Sequence, residues 1–337
     1  MKLSVLDYAV VDENCSVEKA MNDSVELAKL ADNLGYVRFW VAEHHNVPAL
    51  ANSSAELMIM HLLNQTKNIQ IGSGGIMLPH YSAYKVSEWY NTLQIFFPNR
   101  VNIGVGNNAG TFRVRKLMNT KKLEREDYNK RITDLLSFIS SDFIDSSDIV
   151  NPKPSTINKK PLWLLSASES SATLAKELKQ NYAYGLFLNQ AEDALAYAKD
   201  CLTSYKENND ESYSLISALL VIGEDEKEVQ DLLRTLDVWL LAKNDFTEFS
   251  HFPSVETAKN YKLSEEDKKT IDFNRSKIIF GTLEQVVEQL DYMKNYLEVD
   301  EIMVVPLVPT IEQRKKTLQK LAKYYNLKED INNEKNR

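Results

Sequence analysis

Glu43, His44 and His45 stand in succession behind a short apolar run, residues 39–42, in a chain that has only five histidines. Imidazole titrates near neutral pH, so such a triplet at the end of a buried strand is a candidate for chemistry. Histidine and glutamate also bind metals, but a metal centre needs further ligands at workable spacing. Side chains alternate along an extended segment, so His44 points to one side and Glu43 and His45 to the other. That arrangement offers one imidazole to a given face. It does not build a ligand set, and no metal is expected here. A polar strand end satisfied by the backbone is the plainer reading of the same triplet.

Three clusters of small residues also end apolar runs. The first is IGSGGIMLP, residues 71–79, in a chain with ten glycines among 337 residues. Glycine allows close approach of a flat ligand, and equally a tight turn with no ligand. The second is NIGVGNNAGTF, residues 102–112, followed by Arg113 and Arg115. Neither cluster completes the G-x-G-x-x-G pattern of a dinucleotide loop. The third, LSASESSATLAKEL at 165–178, crowds hydroxyls at a helix start. Free backbone N–H groups there favour an anion such as phosphate, although capping alone needs one of these serines.

The elements that position these residues alternate strictly. Apolar runs at 3–6, 38–42, 69–72, 101–105, 162–165, 183–188, 214–222 and 301–305 read as strands. Residues 17–34, 53–65, 83–96, 170–180, 193–208, 226–243, 283–295 and 311–325 have helical spacing. Such α/β alternation implies parallel strands with crossover helices. Eight units suit a (β/α)8 TIM barrel, with an open doubly wound sheet as the competitor. Two long stretches, 118–160 with its NPKPS segment and 244–277, are insertions expected over the active-site face. One domain is expected over 1–327, then a polar tail at 328–337. In a barrel the loops after the strands build the site, and all four clusters fall there. Tyr8, after the first strand, is a candidate pocket residue. Arg100 precedes a strand and reads as structural. Phe246, Phe249 and Phe252 either cover a hydrophobic substrate or pack the late insertion onto the barrel.

Composition narrows the class further. A net charge of −8 without a basic stripe argues against nucleic acid. Cys15 and Cys201 form no zinc or disulfide pattern and suit a reducing, cytoplasmic setting. Asp7 interrupts the first apolar stretch, so no signal peptide is read there, and no apolar run has the length of a membrane span.

Together, YVRFWVAEHHNVPAL, IQIGSGGIMLPHYSAYKVSEWYNTL, FPNRVNIGVGNNAG and SASESSATLAKEL resemble the bacterial luciferase-like monooxygenase family. The closing GTLEQVVEQLDYM and DEIMVVP extend the resemblance over most of 1–327. It implies a TIM barrel that uses reduced FMN or, in some branches, the deazaflavin F420. It implies O2 activation as a flavin C4a-hydroperoxide and oxidation of a small or medium hydrophobic organic substrate. His44 would act beside the flavin as acid, base or hydrogen-bond partner, supported by Glu43 and His45. Gly74–Gly75 would form a non-prolyl cis peptide beneath the flavin ring. Glu169, Ser170 and Thr173 match phosphate-side positions. Asn107 stands where many members carry an arginine for the phosphate, leaving Arg113 or Arg115 to substitute. The resemblance also implies a homodimer through helix 53–65 and a separate reductase supplying FMN as a diffusing cosubstrate. The alternatives are a non-catalytic flavin-binding protein, an F420- or FMN-dependent enzyme transferring hydride without O2, and a metal-dependent hydrolase using the histidine pair.

Overall fold

A computed structural model describes residues 1–118, 125–140, 162–209 and 211–328. The NPKPS segment and all of the polar tail after Lys328 lie outside the described residues. The apolar runs form strands β1 (Leu3–Asp7), β2 (Arg38–Val41), β3 (Gln70–Ser73), β4 (Ile76–Met77), β5 (Val101–Gly106), β6 (Leu162–Ser166), β7 (Asn181–Gly185), β8 (Ser214–Ile222), β9 (Ile278–Gly281) and β10 (Glu301–Val305). Every residue of β1, β2, β8 and β10 is buried. Such strands read as continuous apolar runs because parallel sheets are covered on both faces.

Parallel pairing runs β1–β2–β3–β5–β6–β7–β8–β10 and returns to β1. This closes a barrel of eight parallel strands with helices around it, the (β/α)8 architecture the alternation implies. The two remaining strands extend the barrel at its C-terminal rim. Strand β8 pairs with β10 over Leu215–Leu219 and with β9 over Leu219–Ile222. Strand β4 adds two residues to the end of β5.

The crossover helices follow ordinary end signals. Ser16 caps Val17–Leu34 by accepting from the Lys19 N–H, and Gly35 closes it at φ 92°. Three elements end at least three residues earlier than expected. The helix after the serine cluster is Glu169–Glu177, and β7 is Asn181–Gly185, ending there because residues 186–188 form a 3-10 turn instead of extending the strand. The helix from Glu226 stops at Trp239, since Ala242, Asn244, Asp245 and Phe246 all have positive φ. Arg100 bridges the carbonyls of Leu63, Thr66 and Ile69 below the barrel, a structural task.

One core layer fills the space between strands and helices, and another fills the barrel. Inside the barrel, glycine brings strands together. A Cβ on Gly104 would lie 2.2 Å from the Ser73 carbonyl oxygen. The Ser73 hydroxyl occupies this narrow gap, donating to the Gly104 carbonyl at 2.8 Å and accepting from its N–H at 3.0 Å. Gly104→Ala should therefore cost about 1–3 kcal/mol in urea unfolding, through forced separation of β3 and β5.

Candidate active site

The C-terminal strand ends open into a cavity of about 910 Å3, at the upper end of the range for small-molecule sites. Its polar side comes from neighbouring strands β3, β5 and β6: Gly74 and Gly75, Gly106 to Asn108, and Ser166, Ser168, Ser170 and Ser171. Its apolar side comes from β8, β10 and the loop after β2: Leu219, Leu307, Val47 and Leu50. Glu43, His44 and His45 lie between the two.

The triplet divides as strand alternation predicts. The His45 Nε2–H donates to Glu43 Oε1 at 2.6 Å. The Tyr81 hydroxyl donates to the same oxygen at 2.8 Å, and the Met77 N–H donates to Glu43 Oε2 at 2.9 Å. Glu43 is 4% exposed and is fully occupied in tying the loop after β2 to segment 76–81. His44 makes no such contact. Its ring lies 4.8 Å from Tyr8, and its Nδ1 is buried with no hydrogen-bond partner among the described residues. Its backbone is held instead, by an N–H bond to the Asn52 carbonyl at 3.0 Å. Glu43 and His45 are thus a committed pair, and His44 is the imidazole of the triplet with a ring nitrogen left unpaired among the described residues.

Burial pushes the His44 pKa down to about 4, outweighing the nearby Glu43 carboxylate. His44 is therefore neutral at pH 7, able to accept a proton or share a hydrogen bond. The same shift links to stability. The unfolded chain takes up this proton near its ordinary value of 6.5, and the folded chain only near 4. Folding stability falls as pH drops through that window, on the order of 3 kcal/mol from this group alone. Urea unfolding from pH 7.5 to 4.5 should show a steep loss, flattened in His44→Asn.

The other sequence-derived residues fall into three groups. Gly74, Gly75, Asn107 and Ser170 line the cavity, and Gly74–Gly75 is a cis peptide. Glu169 and Thr173 do not line it. Glu169 is exposed, and the Thr173 hydroxyl turns back to the Glu169 carbonyl at 3.1 Å. Arg113 and Arg115 are also absent from the wall; they belong to a short helix, Phe112–Leu117, beyond Thr111. Among the described residues the wall contains no lysine or arginine. Tyr8 does line the cavity. Of the three late aromatics, Phe246 is in the wall, Phe249 packs on Tyr261, and Phe252 is wholly buried. Sequence reasoning missed Tyr81, Met77, Ser166, Phe187 and Trp239. Ser166 sits in the flagged serine cluster, whereas Tyr81 is a partner only through a contact 38 positions away.

The cavity has features suited to a flavin. Nothing stands within 4 Å of where a Gly106 side chain would begin, so the missing side chain leaves open space in the wall. The Ser168, Ser170 and Ser171 hydroxyls and the Asn107 and Asn108 amides supply neutral hydrogen-bonding groups on one side, and His44, whose Nδ1 is buried without a partner among the described residues, contributes to the wall. No group of three or more His, Cys, Asp or Glu side chains among the described residues is placed to hold a metal ion. No described helix is long and apolar enough to cross a membrane.

A closed parallel barrel with an imidazole-bearing cavity at the C-terminal strand ends defines a TIM-barrel enzyme scaffold. Its family follows from comparison: residues 1–298 match the luciferase-like monooxygenase model, and the chain belongs to that family. It is 28% identical to N-acetyl-S-alkylcysteine monooxygenase of Bacillus subtilis, over 93% of this chain and 95% of the relative. It is 30% identical to a luciferase-like monooxygenase of Escherichia coli K12, over 69% and 70% respectively. The crystal structure of apo-MsnO8 superposes with a TM-score of 0.84 at 27% identity, covering 97% of this chain and 98% of that one. At 14% identity the same fold, with TM-scores of 0.67 and 0.66, is found in an FMN complex of the oxygenating constituent of 3,6-diketocamphane monooxygenase from Pseudomonas putida and in an F420-dependent secondary alcohol dehydrogenase. The first covers 96% of each chain, the second 94% of this chain and 96% of the other. The family and the named relatives make this chain an oxidoreductase.

Proposed function

We propose that this protein is a flavin-dependent monooxygenase that uses reduced FMN and O2 to oxidise a small or medium, largely apolar organic substrate. The observation that carries the proposal is the unpaired, neutral His44 between a polar wall and an apolar wall of one cavity. When bound, reduced flavin supplies the electrons that activate O2. The residues of this chain do the rest. Gly106 gives the ring system room, and Asn107, Ser168, Ser170 and Ser171 offer hydrogen bonds to the ribityl phosphate chain. Glu43 holds His45 and segment 76–81 in place. The His44 imidazole would take or share a proton beside the reacting oxygen, and its low proton affinity keeps it neutral for that task. The apolar residues from β8 and β10 exclude water, which strengthens every polar contact inside.

FMN is preferred over F420 on the monooxygenase relatives, and both cofactors occur among proteins with this fold. A neutral phosphate-side wall suits weak, exchangeable binding, so a separate reductase supplying reduced FMN belongs to the proposal. So does a homodimer through Ala55–Gln65, where Leu57 stands 68% exposed. The reaction class is tested with isotopically heavy O2, reduced FMN and a panel of ketones, aldehydes and thioethers. Heavy oxygen in one product supports the proposal. Turnover of the panel only by hydride transfer under strict anaerobiosis, with no oxygen incorporated, favours the F420-type alternative.

A further inference from the structure

The apolar side of the cavity contains a buried polar anomaly. Val47, Leu50, Leu219, Leu240, Phe246 and Leu307 line it and pack with the barrel-interior cluster. Trp239 stands among them, in the wall and only 5% exposed. Its indole Nε1 is buried and has no hydrogen-bond partner among the described residues. Buried indole N–H groups ordinarily find an acceptor. Trp40 in this same chain does so, donating to Asn102 Oδ1 at 3.2 Å.

The neighbours of Trp239 are aromatic rings. Phe252 lies 5.6 Å away and is anchored, fully buried with its N–H bonded to the Val11 carbonyl at 2.7 Å. Phe246 lies 4.7 Å away on a different footing. It ends a turn in which Ala242, Asn244, Asp245 and Phe246 have φ of 52°, 52°, 57° and 64°. Non-glycine residues adopt that conformation only at a cost. Of the two neighbouring rings, Phe246 is thus carried by a strained, cavity-lining turn and Phe252 is anchored in the barrel.

We propose that Trp239 is a specificity-determining residue whose indole N–H receives a carbonyl-class oxygen of the substrate, with Phe246 moving aside to admit it. This rests on the reading of the cavity as a monooxygenase active site. The substrate class is a neutral, predominantly apolar molecule bearing one carbonyl acceptor: a ketone, aldehyde, ester or amide. A carboxylate is disfavoured, because no described cation lines the wall and Asp245 belongs to it. A pure hydrocarbon is disfavoured because it would leave the buried donor unpaired.

The test is calorimetric binding of methyl pentyl ketone and n-heptane to the wild type and to Trp239→Phe, without flavin or O2. Losing the indole should weaken the ketone about tenfold more than the alkane, the size of one hydrogen bond. Equal weakening of both ligands, or no binding of either to the wild type, overturns the proposal. Should Trp239→Phe fail to fold, isotope-labelled indole nitrogens in the wild type give a second readout. One of the four tryptophan N–H resonances should move downfield with the ketone and none with the alkane. No selective shift overturns the proposal. Because both readouts are binding, a protein that discriminates the ligands yet oxidises nothing would count against the monooxygenase reading and leave the Trp239 assignment standing.

Discussion

His44→Ala should lower turnover about 100- to 10,000-fold, the usual contribution of a positioned acid–base group, while leaving the barrel folded and flavin affinity within a factor of a few. The structure separates His44 from its neighbours in a way that makes this expectation specific. Glu43 and His45 spend their polar atoms on each other, on Tyr81 and on the Met77 N–H. His44 Nδ1 spends none. Removing His44 therefore breaks no side-chain hydrogen bond seen in the structure, and loses only the ring contact with Tyr8. Circular dichroism and flavin titration check the fold and the cofactor; steady-state turnover checks the chemistry. Unchanged turnover in His44→Ala would remove His44 from the mechanism. Glu43→Gln should behave differently, since it loosens the loop after β2 and segment 76–81 together, and stability should fall with activity.

The largest expected stability effect lies at the opposite end of the barrel. Arg38 on β2 is 5% exposed, and Glu301 on β10 is fully buried. Arg38 Nε and Nη2 donate to the two Glu301 oxygens at 2.7 and 2.8 Å. Ser4 and Tyr213 donate to the same carboxylate, and Nη1 bonds Gln70 and Asn102 at 3.0 Å. The guanidinium also lies 4.6 Å from the Trp163 ring. Together these contacts join six barrel strands around one ion pair. Arg38→Met leaves the carboxylate buried without its cation and should cost about 3–5 kcal/mol in denaturant unfolding. Adding Glu301→Leu should recover much of that loss, because the desolvation penalty then disappears with the charge. A single variant within about 1 kcal/mol of the wild type would contradict this account.

Much of the architecture was legible because the barrel repeats one physical rule. Strands covered on both sides are apolar throughout, and the helices between them show their buried faces at regular spacing. The eight strands that close the barrel all correspond to runs read from the sequence. Strand β9 was not, since four residues directly before a capped helix carry too little pattern to separate from a loop. The division of Glu43–His45 from His44 was legible from alternation alone. Its supports were not, because Tyr81 and Met77 meet Glu43 only once the barrel is closed. The glycine clusters show a different limit. Gly74 and Gly75 line the cavity, yet their missing side chains are crowded by Leu6, Trp40, Gly104 and Leu165. Packing selects glycine at these two positions, open space lies instead at Gly106, and the sequence does not separate the two cases. Glu169 and Thr173 failed to reach the cavity because the helix begins at Glu169, which directs that side chain to solvent and puts Thr173 one turn further on.

On the proposed function, this cavity binds reduced flavin and controls its reaction with oxygen. Anaerobic titration with reduced FMN, followed by admission of O2 and observation of the flavin absorbance, tests it most directly. Saturable binding, with the return of oxidised-flavin absorbance delayed relative to free reduced FMN and the delay shortened in His44→Ala, is the predicted result. Absence of binding, or reoxidation at the rate of free flavin, would contradict it.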